Sequence, residues 1–420
     1  MNYTRSLARM PRDPHPHAAL AILTGLNFFN YVDRSVLFAV QPLVQNEFHR
    51  TDAQFGFLTT AFFICYMVTA PFIGPLADRF PRRGIMIAGA IVWSAATLLT
   101  AITYDFRTLF IRHTIVGIGE ATFATIAPSF LADLFPEGKR GRVLGIFYIC
   151  IGLGTAVGYI VGGSVSKTQG WRAPFYVAAI PGFLLAAALS LIPEPARGLQ
   201  DTLPETHERT SVLGLIRNGA FWTATFGMAM WTFGIGALQV WMPTFLSRIR
   251  HEPLDRANLI FGAMTAFNAV FATLLGGWIG DRYLRKNRGS YYIVSSVTML
   301  IGVPVMIIAI TTSGPLMYPS MFLTEFLLFL NMAPLNAAIV NSVGAHIRAT
   351  AIAVNLFTIH LLGDAFSPTL VGYISDRSSL QTGFLAAIVA VGLASAILYY
   401  GKRFAPPIHA DAPAPAGVSA

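Results

Sequence analysis

Long apolar runs recur along the whole chain, separated by short polar breaks. A helix that crosses a hydrocarbon core needs about 20 apolar residues. Runs of that order lie near 18–45, 54–77, 84–104, 108–134, 142–166 and 173–192. After a polar stretch come 219–246, 257–280, 291–312, 316–345, 348–375 and 381–401. Membrane β-barrels show alternating segments of about ten residues; these runs are too long and too continuous for that. The pattern predicts an all-α membrane protein with twelve transmembrane helices.

Composition agrees. Charged residues make up 12% of the 420, about half the 25% of a typical soluble domain, so the chain lacks the polar surface to cover itself in water. The net charge of +9 could suggest a nucleic-acid partner, but its distribution argues otherwise. With the N-terminus inside, 19 of the 29 Lys and Arg fall in inner loops and eight in outer loops; Arg34 and Arg112 lie within spans. That is the positive-inside bias. It predicts a multi-pass protein of a bacterial inner membrane with both termini cytoplasmic, and no nucleic-acid partner. Cys65 and Cys150 both fall inside spans, so a disulfide is not expected. The polar start, Met1 to His17, precedes no cleavable leader, and span 1 reads as an uncleaved anchor. The Ala/Pro-rich end, 404–420, reads as a disordered tail.

The chain also repeats itself. The polar stretch 193–218 separates an N-terminal set of six spans (18–192) from a C-terminal set (219–403). Gly74-Pro-Leu-Ala-Asp78-Arg79 closes span 2, and Gly277-Trp-Ile-Gly-Asp281-Arg282 closes span 8, 203 residues later. Arg140 and Arg348 open spans 5 and 11 at an offset of 208, and Gly158-Tyr159-Ile160 returns as Gly372-Tyr373-Ile374. Nearly equal offsets imply a duplicated six-helix unit, the organisation of secondary transporters whose site lies between the halves.

Gly74-x-x-x-Asp78-Arg79-x-x-Arg82-Arg83 resembles the loop motif of the major facilitator superfamily, with Pro81 where glycine is commoner. A closer resemblance, to the Spinster family of lipid transporters, rests on several strings. These are Tyr31-Val-Asp33-Arg34, Trp93-Ser94-Ala95, Val116-Gly-Ile-Gly-Glu120-Ala with Ile126-Ala-Pro128, and His360-Leu-Leu-Gly363-Asp364-Ala365 with Ser367-Pro368. It covers most of spans 1–6 and 10–11 and is weak in 7–9. It implies two pseudo-symmetric six-helix bundles working by alternating access on a lysophospholipid, a sphingoid-like lipid or another amphipathic anion. Two departures stand out. An arginine is usual seven residues before the span 4 glutamate; here that position is His113 and the arginine is its neighbour Arg112. One residue turns a helix by about 100°. In span 5, Gly145, Gly154, Gly158, Gly162 and Gly163 match the superfamily's antiporter spacing, with Tyr159 in place of proline.

Ionisable groups inside a membrane are costly and normally face a cavity or a partner. Here they are Asp33, Arg34, Arg112, His113, Glu120, Glu325, His360 and Asp364. Counting from Arg107, Glu120 lies roughly 20 Å along its helix, near mid-membrane; Asp33 lies roughly 22 Å from the inner face. A buried carboxyl beside a cation is balanced between protonated and ionised forms. Asp33 and Glu120 are therefore expected to couple transport to protons, tuned by Arg112 or His113. The alternative for Asp33 is a static ion pair with Arg34 or Arg112. Tyr31, Glu325, Asn331 and His360 are expected to help line the substrate cavity. Asp364 shares a helical face with His360, four residues away. Phe28, Phe29, Phe62, Phe63, Phe326 and Phe329 are candidates for an apolar lining. Asp78, Arg79, Arg82, Arg142 and Asp281 are expected to gate the cytoplasmic side. There Asp78 would meet the N-terminus of span 11, while Arg82 and Arg83 face anionic headgroups.

No zinc motif, nucleophile elbow or phosphate loop occurs, so neither an enzyme nor an ATP-driven pump is expected, and no cofactor or metal. The expected partners are a small amphipathic or anionic substrate, protons and membrane lipids, and the protein is expected to be a monomer. The second functional class is a proton symporter for small organic acids.

Overall fold

The computed structural model describes residues 15–197, 212–284, 286–343 and 347–406. The expectations for Arg5, Arg9, Arg12, Arg209 and Arg285, most of the 193–218 linker and nearly all of the 404–420 tail lie outside these residues.

The described chain is almost entirely helical. In order come α1 (Pro16–Ala39), α2 (Gln41–Phe48), α3 (Asp52–Arg79), α4 (Arg82–Thr100), α5 (Phe106–Leu134), α6 (Glu137–Gln169), α7 (Ala173–Leu189) and the short α8 (Val212–Ile216). The second half contributes α9 (Gly219–Arg248), α10 (Leu254–Leu284), α11 (Ser290–Thr311), α12 (Met317–Phe329), α13 (Met332–Asn341), α14 (Arg348–Ile359), α15 (Ser367–Arg377) and α16 (Leu380–Gly401). Among the described residues, nine helical spans are long and apolar enough to cross a membrane. With α1, α7 and α9 they make the twelve expected. Outside those nine is α1, whose buried residues include Asn27, Asn30 and Asp33.

Three predicted spans are broken, each near a proline, which removes an amide donor and clashes with the carbonyl four residues back. Span 1 divides at Val40, before Pro42. Span 10 divides at Leu330–Asn331, before Pro334. In span 11 a π-helical turn, His360–Asp364, precedes Pro368 and holds Gly363 at φ −102°, ψ −106°. The helix is therefore not regular between His360 and Asp364, and the shared face expected for them is lost.

Two compact units form. One gathers α1–α7 with Gly236–Ala269 and Asp364–Phe384; the other holds the chain from α8 to Ile235, Val270–Gly363 and the chain from Leu385. In the first unit α1 packs along α6. Gly154, Gly158 and Gly162, on one face of α6, meet Phe28 and Tyr31, Val32 and Ser35, and Val36 and Ala39 of α1. A Cβ at Gly158 would stand 2.6 Å from the Ser35 Cβ. This close seam accounts for three of the five span 5 glycines; Gly163 meets Asn258 of α10, and Gly145 has no close neighbour among the described residues. Tyr159, in the proline's place, is buried and donates its hydroxyl to the Gln239 carbonyl at 2.6 Å.

In the second unit Asn331 repairs the break in span 10. Its amide donates at 2.7 Å to the carbonyl of Leu327, which the interrupted helix leaves short of a donor, and at 3.3 Å to that of Leu328. Its own oxygen accepts from the Thr298 hydroxyl at 2.9 Å, and the Trp231 indole also reaches Leu328. Asn331 is fully buried. It is a helix-repair residue rather than the cavity lining expected of it.

Candidate functional site

The helix α1 carries adjacent residues of opposite charge, Asp33 and Arg34. Successive side chains on a helix diverge by about 100°, and the two reach different neighbours. Arg34 points to α5, where its Nη2 lies 2.5 Å from the Glu120 carboxylate. Glu120 is fully buried and the Arg34 side chain is 13% exposed. Asp33, also buried, accepts a hydrogen bond from the Thr97 hydroxyl of α4.

Four aromatic rings surround the Arg34 guanidinium. Tyr31 lies 4.8 Å away, Phe62 4.9 Å, Phe63 5.5 Å and Tyr66 5.9 Å, measured from its central carbon to each ring centre. Tyr31 comes from α1 and the other three from α3, whose close approach to α5 at Gly117 leaves no room for a Cβ beside the Phe62 carbonyl. The faces of such rings attract a cation, so an ion pair that is expensive to bury is met by a matching environment. His113, two turns before Glu120, is buried with its ring stacked on Phe62 at 5.2 Å and 26°. The pair is not saturated: Arg34 Nε, Glu120 Oε1 and His113 Nε2 are buried without a hydrogen-bond partner. Such atoms carry an unmet desolvation cost of about 1–3 kcal/mol each, and a polar ligand group would relieve it.

Several expected residues belong elsewhere. Arg112 does not join the carboxylates; its guanidinium donates to the Leu99 carbonyl and, at 2.7 Å, to the Thr103 hydroxyl, closing the end of α4. The cation of the site is Arg34, which the sequence reading placed within the membrane but named only as a static partner for Asp33. Arg82 does not face lipid headgroups. It is buried, 2.5 Å from Asp133 and 3.4 Å from Glu194, while Glu194 also accepts from the first amides of α4. Arg83 donates to the carbonyls of Ser190 and Ile192. Asp78, Arg79 and Arg142 are exposed, and Arg197 donates to the Ala77, Asp78 and Phe80 carbonyls, capping α3. Asp281 accepts from the Tyr291 hydroxyl at 2.7 Å. Glu325 is buried in α12 and His360 half-buried in the π-helical turn. Of the six phenylalanines, Phe62 and Phe63 face Arg34. Phe28 and Phe29 meet edge to face, and Phe326 and Phe329 belong to the other compact unit.

Comparison with known proteins places this geometry in a family. The model of the Major Facilitator Superfamily matches residues 23–368. Protein spinster homolog 3 of Danio rerio is 36% identical over 385 residues, covering 86% of this chain and 77% of that one. The sphingosine-1-phosphate transporter SPNS2 of Xenopus tropicalis is 34% identical over 412 residues, covering 92% and 80%. In three dimensions the chain is similar to a bacterial homologue of the human lysosomal transporter Spinster, in an inward-facing and occupied conformation. The TM-score is 0.84 with 22% identity, over 94% of this chain and 98% of the other. A D-xylose–proton symporter shares the fold more distantly, with a TM-score of 0.74 and 18% identity over 93% and 98%. The chain is a multi-pass membrane protein of the major facilitator superfamily and, within it, a member of the Spinster family of transporters.

Proposed function

We propose that this protein carries an amphipathic anion across the membrane by alternating access and couples the movement to protons at Glu120 and Asp33, with Arg34 as the cation that Glu120 holds or releases. The observation that supports this is the unsaturated, aromatic-ringed ion pair on α1 and α5. Ionised Glu120 holds Arg34. A proton taken up by Glu120 ends the ion pair and frees the guanidinium for the anionic head of the substrate, whose apolar chain meets Phe62, Phe63 and the rings beside them. Asp33, held by Thr97, is the second proton carrier. His113 tunes the site through Phe62. The name of the SPNS2 relatives favours a sphingoid-like phosphate or a lysophospholipid as substrate.

The six-helix bundles 18–192 and 219–403 are the moving halves and 193–218 is their cytoplasmic connector, with Asp78 gating the cytoplasmic side. The protein works as a monomer in a bacterial inner membrane. Both termini are cytoplasmic in this reading, which the 19-to-8 distribution of basic residues supports. The test is uptake of sphingosine 1-phosphate into proteoliposomes under an imposed pH gradient, with and without a protonophore. Uptake that the protonophore abolishes is expected. Undiminished uptake with the protonophore present removes the proton link. Uptake of a sugar acid or aromatic acid in place of the lipid selects the small-acid class.

A further inference from the structure

A densely bonded carboxylate lies away from this site. Asp52, in the first turn of α3, is 4% exposed. Its oxygens accept from Gln45 of α2 at 2.8 Å, from Ser375 of α15 at 2.6 Å, and from Arg248 Nη1 of α9 at 2.8 and 2.7 Å. Arg248 Nη2 also donates to the Gln45 side-chain oxygen at 3.0 Å. The bonding is reciprocal, because the Asp376 carboxylate of α15 accepts the Asp52 and Ala53 amides at 2.8 and 2.9 Å. Those amides open a helix and have no intrahelical acceptor.

Close packing runs on from this point along α3. Gly372 sits against the Asp52 carbonyl and Gly56 against the Pro368 carbonyl, both too near for a Cβ. Thr60 reaches the Ala365 carbonyl and, at 2.6 Å, the Thr369 hydroxyl. Segments from α9 and α15, some 200 and 320 residues further along the chain, are thereby tied to the start of α3. The bonded cluster borders a cavity of about 410 Å³ whose lining includes Arg50, Asp52, Arg248, Asp376 and Ser378.

We propose that Asp52 is the keystone of a latch that joins α3 to α9 and α15 and must break once in each transport cycle. Two features fit a latch better than a permanent joint. The arrangement converges on one carboxylate, so a single loss removes the side-chain ties to α2, α9 and α15 together and leaves α15 held by Asp376 and Thr60. The Arg248 side chain is 40% exposed, so water can replace its hydrogen bonds when the segments part. A separate tie in the same compact unit, Lys167 of α6 to Asp255 of α10 at 2.8 Å, is exposed on the lysine side and is an ordinary surface pair of small value.

The proposal rests on the alternating-access reading, but its test needs no substrate. Native Cys65 and Cys150 are replaced by serine, and spin labels are placed at the exposed positions Asn46→Cys and Ser378→Cys. Pulsed electron double resonance on the full chain in lipid nanodiscs then measures the separation of α2 from the end of α15. The unmodified latch should give a narrow short-distance population. Asp52→Asn, and independently Arg248→Gln, should raise the ratio of long to short distances at least tenfold, whereas Lys167→Ala should leave it unchanged. Arg248→Gln lies at a half-exposed position and keeps the test decisive if Asp52→Asn folds poorly. Wild-type distance distributions in both latch variants would overturn the latch. Failure of wild-type lipid uptake, with the distances responding as expected, would overturn the transport reading alone.

Discussion

Neutralising the two members of the Arg34–Glu120 pair should have unequal consequences. Removing one partner of a buried ion pair commonly costs about 3–5 kcal/mol, because the survivor is left buried and unpaired. Glu120→Gln leaves a cation, and that cation still has four aromatic faces within 6 Å. Each contributes about 0.5–2 kcal/mol, and the glutamine oxygen can still accept from Arg34. The net loss should be about 1–2 kcal/mol. Arg34→Gln instead leaves a fully buried anion, to which aromatic faces offer no compensation, so the full loss of about 3–5 kcal/mol applies at pH values where Glu120 stays ionised. The difference, about 2 kcal/mol, is a factor of about thirty in an equilibrium constant and should separate the melting temperatures of the two variants by a few degrees. The assay is thermal unfolding in detergent, followed by proteoliposome uptake. Glu120→Gln should remain folded and lose pH-driven accumulation while keeping substrate exchange, which moves no net proton. Equal melting temperatures would refute the account of the aromatic ring. Wild-type pH-driven accumulation in Glu120→Gln would refute the assignment of Glu120 to the proton path.

Arg82→Gln should lower stability by about 1.5–3 kcal/mol, the usual worth of a hydrogen bond to a charged group, because it removes the buried guanidinium that pairs with Asp133 and Glu194; Asp78→Asn, at an exposed position, should change it by no more than about 0.5 kcal/mol, and thermal unfolding of the two side by side checks both. Asn331→Leu should cost about 1–3 kcal/mol because the Leu327 carbonyl loses its donor, and faster amide exchange confined to α12 and α13 is the expected signature. Glu47 lies outside the spans, and hydrogen bonds first from Arg172 and then from Trp171 hold its carboxyl below the ordinary glutamate range. The stability it contributes is therefore present above its unfolded pKa and lost as pH falls through the lower folded value. Being half-exposed it contributes no more than about 1 kcal/mol, so the melting difference between wild type and Glu47→Gln should be small at neutral pH and vanish in acid.

The run lengths of apolar residues determined that the chain is a twelve-helix membrane protein, because the thickness of a bilayer fixes the length of helix it accepts. The duplicated Gly-x-x-x-Asp-Arg strings, with the span 4 and span 11 motifs, were enough to place the family. The sequence also showed which carboxylates lie within the spans. It could not show what each one touches. Arg112 and Arg34 were both available to pair with an acid, and only packing turned Arg34 toward Glu120 and Arg112 toward the end of α4. Asn331 reads along the chain as a polar residue in a membrane helix, and its use became visible only with the carbonyls that the break before Pro334 leaves open. Asp52 reads as an ordinary acid in a first helical turn, which the helix dipole alone would favour. Its importance comes from Gln45, Arg248, Ser375 and Asp376, brought together from three distant parts of the chain. Periodicity and composition act over neighbouring residues and survive in the linear order. The partners of a buried charge are chosen by tertiary contacts, most of them between segments tens to hundreds of residues apart, and no local pattern records that choice.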